Sequence, residues 1–490
     1  VRVLVVLAII GQFLRFFSLA FLPPLVVALV EQEWAVAGSF AGAFGATVLF
    51  GLLFAAAHTH DMKIFRRAEA LAVVSGTWLL IGVFGAIPYV FEGLSFVDGL
   101  FESISGFTTT GATVLTDFDR YGHAFYLWRS MTQWFGGLGV IALAVVVLPR
   151  LRIAGRQLFF AEASGAPGEA VSPNIRNAAM KLWMLYASLT LLLMVLLWGA
   201  GMGPFDAVCH ALTTLSAGGF SPNGSSIAGF DNATVEWILI VFMLMAGTSF
   251  PLLWLALARR PGALLEDSEF TTYLGIALVA GLGMAGLLWQ DTPDLSWGDS
   301  LRTGLFQSAS VISSTGFAST DYNLWGDGAR VLIVLVMAVG GCAGSAAGGP
   351  KVVRHILVFK HVRRELRRVL HPRAVMPIKY KDKTVDDSVM RAVFTLVVLF
   401  IATYFFLGLT LTLLGNDLVT SFSAALATVG NIGPAFGEAG PMGNFAGFSD
   451  PAKVLMTLGM WIGRLEIVTV FALFHRGIWK NLHLKSFSGN

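Results

Sequence analysis

Ten apolar stretches, each long enough to cross a bilayer, are separated by loops whose charge alternates in sign. They run at about 3–30, 36–57, 70–91, 129–149, 182–200, 235–258, 270–289, 330–350, 392–414 and 453–475. A crossing helix needs about 20 apolar residues. Segments 31–35, 92–128, 199–234, 290–329 and 415–452 hold 17 acids and only two basic residues, Arg120 and Arg302. The alternate segments are basic, and residues 351–383 alone carry eleven Lys/Arg against Glu365 and Asp382. Basic loops are retained in the cytoplasm, which predicts a multi-pass protein with both termini on that side. Only 13% of the residues are charged, about half the usual share, and the deficit leaves no room for a large soluble domain. Cys209 and Cys342 sit in separate apolar stretches and make neither a disulfide framework nor a zinc site. The first stretch is read as a retained helix, since it is too long for a leader and lacks a small-residue cleavage site.

Four of the five acidic segments share a second feature, an apolar stretch too short to span. Each begins near an aspartate and ends on a glycine motif. Asp98 leads to Thr109-Thr110-Gly111-Ala112, Asp206 to Ser216-Ala217-Gly218-Gly219, Asp299 to Ser314-Thr315-Gly316-Phe317, and Asp417 to Thr428-Val429-Gly430-Asn431. A helix of about 12 residues is roughly 18 Å long and reaches only the bilayer centre. The aspartate suits its outer start, as a cap and a complement to the helix dipole. The repeating unit is outer helix, half-helix, glycine segment and inner helix. It predicts an all-α polytopic membrane protein with ten transmembrane helices. Four pseudo-symmetric helix–pore-loop–helix repeats would surround one central pore, with an N-terminal helix pair outside them. The expected divisions are 1–60, 70–150, 182–258, 270–359, a basic cytoplasmic loop at 360–391, 392–475 and a cytoplasmic tail at 476–490.

Non-helical backbone at membrane depth must line a polar cavity or be buried in protein. Four such segments around one axis can offer their carbonyls to a dehydrated monovalent cation, as K⁺ filters do. Glycine permits the backbone angles that aim successive carbonyls inward. The candidate filter residues are Thr110 and Gly111, Ala217 and Gly218, Thr315 and Gly316, and Val429 and Gly430. Thr109, Ala112, Ser216, Gly219, Ser314, Phe317, Thr428 and Asn431 are their neighbours. The bland alternative, ordinary extracellular turns, does not explain four occurrences at one place in a repeat.

These residues carry a family resemblance. The chain resembles the Trk/Ktr/HKT superfamily of K⁺ transporters, most closely the bacterial TrkH type. The resemblance rests on Phe107-Thr108-Thr109-Thr110-Gly111-Ala112-Thr113, Ser216-Ala217-Gly218-Gly219-Phe220-Ser221, Ser313-Ser314-Thr315-Gly316-Phe317 and Thr428-Val429-Gly430-Asn431-Ile432-Gly433-Pro434. It extends to residues 340–349 and to Gly463-Arg464-Leu465-Glu466, and the extra helix pair at 1–58 favours the TrkH type. The resemblance implies a homodimer in the bacterial cytoplasmic (inner) membrane and a TrkA-like cytoplasmic regulatory subunit. A nucleotide is expected on that partner, and no organic cofactor or nucleic acid on this chain. Within the superfamily, Ser at the first filter glycine accompanies Na⁺ permeation, so glycine at all four positions points to K⁺. Only the fourth motif keeps Thr-Val-Gly, which predicts loose selectivity.

Two features suggest gating. Gly340, Gly341, Cys342, Ala343, Gly344, Ser345, Ala346, Ala347, Gly348 and Gly349, followed by Pro350, cannot sustain a straight helix. Small-residue helix packing is one reading; the resemblance implies an intramembrane loop that obstructs the pore. No P-loop fits, because Gly-Pro-Lys-Val lacks the Gly-Lys-Ser/Thr ending. Arg464 falls in the middle of the last apolar stretch, where a charge costs at least about 2.5–3.5 kcal/mol. It is either half of a structural ion pair or, as the resemblance implies, a barrier to K⁺ below the filter. The 351–383 loop reads as an amphipathic helix on anionic headgroups and as a docking surface, which are compatible. Trp128 and Arg129, with Trp134 further in, fit interfacial anchoring. His58 and His60 are read as interfacial and not as a metal site.

Rival functions are a secondary transporter of an organic solute, an intramembrane enzyme, and a Na⁺-permeable or H⁺-coupled member of the same superfamily. Solute transporters commonly use inverted repeats, whereas these repeats all enter from one side, with no extra intramembrane carboxylate lining a substrate site. No Ser/His/Asp set or zinc-ligand spacing occurs within the spans.

Overall fold

The computed structural model describes residues 2–56, 67–142, 174–374, 376–381 and 383–474. His58 and His60 lie outside them, as does the tail at 476–490. Six helices among the described residues are long and apolar enough to cross a membrane: Val3–Val30, Trp34–Ala55, Ala68–Phe91, Asn177–Gly199, Ser268–Asp291 and Asp387–Leu413. Their outward faces are apolar. Leu191, Leu192, Val195 and Trp198 are exposed on one of them, and Val398, Phe405 and Phe406 on another. Such faces suit lipid. The first two helices lie backbone to backbone, since a Cβ on Gly11 would sit 2.7 Å from the carbonyl oxygen of Gly51. Small residues permit this approach.

The inner helices are less regular than hydropathy predicts. The 235–258 stretch is two helices, Ala233–Ala246 and Phe250–Ala258, which meet at 109°. Gly247-Thr248-Ser249 separates them, and Pro251 starts the second, where its missing N–H costs nothing. The 453–475 stretch is likewise Asp450–Arg464 and Ile467–Leu473, meeting at 111°. In the 330–350 stretch helix Asp327–Met337 ends and residues 338–351 run without helix. Helix His123–Ala142 occupies the start of the 129–149 stretch, whose remainder lies outside the described residues. Hydropathy counts length without direction, so an apolar run continuing through a bend reads as one span.

The basic segment forms the amphipathic helix Val352–Leu370. This helix runs unbroken through the division expected at 359/360. A two-stranded antiparallel hairpin follows, Lys379–Tyr380 with Lys383–Thr384, in the register Lys379 to Thr384 and Tyr380 to Lys383.

Candidate functional site

Four half-helices converge on the centre of the protein: Phe96–Phe107, Pro204–Leu215, Trp297–Ile312 and Leu418–Val429. Their acidic starts differ in detail from a simple aspartate cap. Ser95 and Ser296 are the caps in repeats one and three, accepting from the amides of Asp98 and Asp299 at 3.1 Å. Their hydroxyls donate to those carboxylates at 2.8 and 2.6 Å. Asp417 is itself a cap, accepting from the Thr420 amide at 3.0 Å. Asp206 lies in the first turn of a helix that starts on Pro204. All four carboxylates stand at positive helix ends, so the partial negative ends point inward.

Each half-helix ends in the same backbone figure. Thr109, Ala217, Ser314 and Asn431 have φ of 50, 56, 54 and 53°. Two residues on, Gly111, Gly219, Gly316 and Gly433 have φ of 85, 76, 82 and 103°. The amide between each pair folds back to the helix. Thr110 N–H donates to Ser105 O, Gly218 N–H to Thr213 O, Thr315 N–H to Ser310 O and Ile432 N–H to Ala427 O, at 2.8 to 2.9 Å. This is the left-handed closure common at helix ends.

The four segments also close on one another. A Cβ on Gly111 would collide with the carbonyl oxygen of Gly218, and one on Gly219 with that of Thr315. A Cβ on Gly316 would meet the Ile432 oxygen, and one on Gly433 the Thr110 oxygen. The contacts run from repeat one to two, three, four and back to one. A pseudo-fourfold ring of backbone therefore encloses a single axis, with glycine required at each step by its neighbour's carbonyl. Gly111, Gly219, Gly316 and Pro434, one from each repeat, line a cavity on the side of the acidic loops.

This geometry corrects the register read from the sequence. Gly219, and not Gly218, is the equivalent of Gly111 and Gly316, and in repeat four it is Gly433, and not Gly430. Gly430 is the right-handed cap of its half-helix and Val429 is that helix's last residue. The Thr-Val-Gly likeness of repeat four is thus helical, and the strand it contributes to the ring is Asn431-Ile432-Gly433-Pro434. The four central positions are still all glycine.

Residues 338–351 lie directly beneath this ring. The Gly348 amide donates to the Ser314 hydroxyl at 2.5 Å, and a Cβ on Gly348 would collide with the Gly430 carbonyl. The Cys342 amide donates to Gly247 O at 2.8 Å and the Ala346 amide to Ala246 O at 3.2 Å, so the segment fills the bend in the second inner helix. Glu269 holds it from another side, accepting from the amides of Ala343 at 2.7 Å and Val353 at 3.2 Å. Arg464 donates from Nη1 to Ala346 O at 2.8 Å. Its own ion pair is absent among the described residues; Glu466 pairs instead with Arg354 at 2.8 Å.

With the ring and the segment under it in place, comparison with known proteins is decisive. The model of the cation transport protein family TrkH matches residues 39–277 and 292–479. The chain belongs to the TrkH family. The Trk system potassium uptake protein TrkH of Halomonas elongata is 34% identical over 482 residues, covering 97% of this chain and 99% of that one. The TrkH of Escherichia coli K12 is 33% identical over 477 residues, covering 96% and 98%. The crystal structure of the potassium transporter TrkH from Vibrio parahaemolyticus matches with a TM-score of 0.89 at 33% identity, covering 98% of this chain and 100% of that one. The TrkH family is one of transporters, so this multi-pass membrane protein is not an enzyme.

One element of this TrkH-family chain escaped the sequence reading. Trp128 and Arg129 are not interfacial anchors, for both are buried behind the ring. Arg129 pairs with Glu102, inside the first half-helix, at 2.6 Å. It also donates to Ser221 O at 2.8 Å and lies 3.7 Å from the Phe220 ring centroid. Glu102 accepts further from the Val114 amide at 2.9 Å and the Thr113 hydroxyl at 3.0 Å. The pair ties together the exits of filter segments one and two. An acid one turn past Asp98, inside the apolar body of the half-helix, was the available signal.

Proposed function

We propose that this chain carries K⁺ into the cell through the ring of glycine segments, with residues 340–349 and Arg464 as the gate beneath. The observation that carries the reading is the closure of four left-handed glycine segments, each against the next one's carbonyl. Backbone carbonyls gathered around an axis at membrane depth suit a cation that replaces its hydration shell with them; that of Gly218 also accepts from Gln133 Nε2 at 2.8 Å. The filter strands are then Thr109–Ala112, Ala217–Phe220, Ser314–Phe317 and Asn431–Pro434, with Ser216 and Thr428 just below two of them. Family membership supports K⁺ as the cargo, since the relatives are named for potassium uptake. The positive guanidinium of Arg464, held against the segment that fills the pore, would oppose K⁺ there.

The charge alternation supports both termini on the cytoplasmic side, and the family resemblance implies the bacterial inner membrane. The Trk system naming of the relatives supports partnership with regulatory subunits, and we propose, as the family resemblance implies, a homodimer served by a TrkA-like nucleotide-binding subunit docked on the basic 351–383 face. We read the divisions at 1–60, 70–150, 182–258 and 392–475 as the N-terminal pair and three repeats. Repeat three is best extended to the end of helix Val352–Leu370.

The test is rubidium-86 uptake into sealed liposomes containing the purified chain, with K⁺ or Na⁺ as competitor. K⁺ is expected to abolish uptake and Na⁺ to affect it little. If wild type, R464Q and a variant shortened within 340–349 were all silent, the pore reading would fall and a solute transporter would take its place.

A further inference from the structure

Below the gate segment a cavity of about 60 Å³ lies between Ala347–Lys351, the last helix pair and helix Asp387–Leu413. Its charged walls are Lys351, Arg354, Arg464 and Glu466; Leu396 and Phe400 complete it. Three cations face one carboxylate, and that carboxylate is engaged by Arg354. Arg464 is 6% exposed, yet its Nε and Nη2 have no hydrogen-bond partner among the described residues. Lys351 donates to the Ala347 carbonyl and has no carboxylate partner among the described residues. A buried unmade donor is costly, more so on a charged group, and an excess of like charge in a low-dielectric wall compounds it.

Water would satisfy the orphaned nitrogens without offsetting the charge. A tetrahedral oxyanion would do both. Its oxygens match the planar fork of a guanidinium, with an ammonium beside it as a point charge, and the space holds one such group or a few waters. Two of the wall residues also hold strained backbones, Lys351 at φ 78° and Glu466 at φ 61°. Strain of this kind persists where surroundings over-determine it, as at ligand clamps.

We propose that this cavity binds a phosphoryl oxyanion, bridging Arg464 of the last helix to Lys351 at the end of the gate segment. The source is the phosphate of an anionic lipid headgroup or free inorganic phosphate. Occupancy fastens the segment to the helix and neutralises the charge below the ring. This regulatory consequence rests on reading residues 340–349 as the gate; the binding itself does not.

Binding is therefore measured apart from transport. The full-length chain in detergent is titrated with inorganic phosphate at constant ionic strength, following the thermal-unfolding midpoint. In a second arm the chain is moved into nanodiscs of phosphatidylglycerol or of phosphatidylcholine, and retained lipid is counted by native mass spectrometry. Wild type and the control R363Q, on the exposed face of the basic helix, are expected to respond to at least one source. R464Q and K351Q are expected to bind it about tenfold or more weakly. A response to phosphate alone or to phosphatidylglycerol alone identifies the source. Equal responses in all four proteins, or no response to either source, would overturn the site. Should R464Q not fold, K351Q against R363Q decides. Silence of wild type, R464Q and the loop-shortened variant in rubidium uptake, with wild-type binding intact, would sink the pore reading and leave the site standing.

Discussion

The carboxylate of Glu102 lies 2.6 Å from Nε of Arg129, and both side chains are shut away from solvent. The pair braces the strands that leave filter segments one and two, so its loss should loosen the ring before it unfolds the protein. Removing one partner of a buried pair costs about 3–5 kcal/mol. E102A is expected to lower the unfolding midpoint markedly. E102Q keeps the shape and an acceptor for the Val114 amide, so it should fold and yet admit Na⁺. The check is Na⁺ competition against rubidium uptake: unchanged competition in folded E102Q would reduce the pair to a purely structural role.

The corrected register makes a sharp contrast within repeat four. Gly433 is left-handed and abuts the Thr110 carbonyl, whereas Gly430 has ordinary right-handed angles. G433A must bear left-handed strain of about 1–3 kcal/mol and push a neighbouring filter strand away. It is expected to abolish rubidium uptake, as G219A is in repeat two. G430A should retain a measurable part of it. Equal loss in G430A and G433A, with both variants folded, would return the filter to the register read from the sequence.

The repeats were legible because an aspartate, a short apolar stretch and a glycine motif recur in the same order in each. The register was not. Repeat two offers adjacent glycines, Gly218 and Gly219, and repeat four offers Gly430 and Gly433, so local sequence cannot say which turns left-handed. That choice is made by where the helix's last hydrogen bond falls and by a carbonyl contributed from another repeat. The bends at Gly247–Ser249 and Leu465–Glu466 were hidden for a related reason, since apolar residues continue on both sides. Residues 340–349 stood out because ten small residues leave no helix to hide in. Arg129 misled through its neighbours: beside a tryptophan near the end of a span it reads as an anchor, and its partner Glu102 is 27 positions away.

At the outer start of the fourth half-helix, hydrogen bonds from Thr420 hold the exposed Asp417 carboxyl below its ordinary value of 3.8. A depressed folded-state value stabilises the protein above pH 3.8, and the contribution is lost as pH falls through the folded-state value. D417A removes the cap and is expected to cost about 1 kcal/mol at neutral pH. D417N keeps the cap and should match wild type there, while losing the part of the acid-limb decline that Asp417 supplies. The measurement is the unfolding midpoint against pH for the three proteins. A D417N curve that fell with wild type at low pH would leave Asp417 without a role in that decline.

Glu269 offers the most direct route into the segment beneath the ring. Its carboxylate receives two backbone amides, Ala343 within the segment beneath the ring and Val353 in the first turn of the helix that follows it. Asp267 caps the same helix, accepting from the Glu269 and Phe270 amides at 2.9 and 3.0 Å. It also pairs with Lys381 of the hairpin at 2.6 Å. A partner that shifts the hairpin would thus pull on the helix start that holds the gate segment. Hydrogen bonds to a charged group are worth about 1.5–3 kcal/mol, so E269A should open the segment about tenfold more often. Cys342, 1% exposed, reports this directly. In a C209A background its thiol should react with a small maleimide about tenfold faster in E269A, with raised rubidium uptake in the absence of any regulatory subunit. K381A breaks only a partly exposed pair, worth about 0.2–1 kcal/mol, and should move both readouts by a few-fold at most. If the E269A thiol reacted no faster and its uptake stayed at the wild-type rate, Glu269 would be a fixed brace and the coupling from the hairpin would have to run elsewhere.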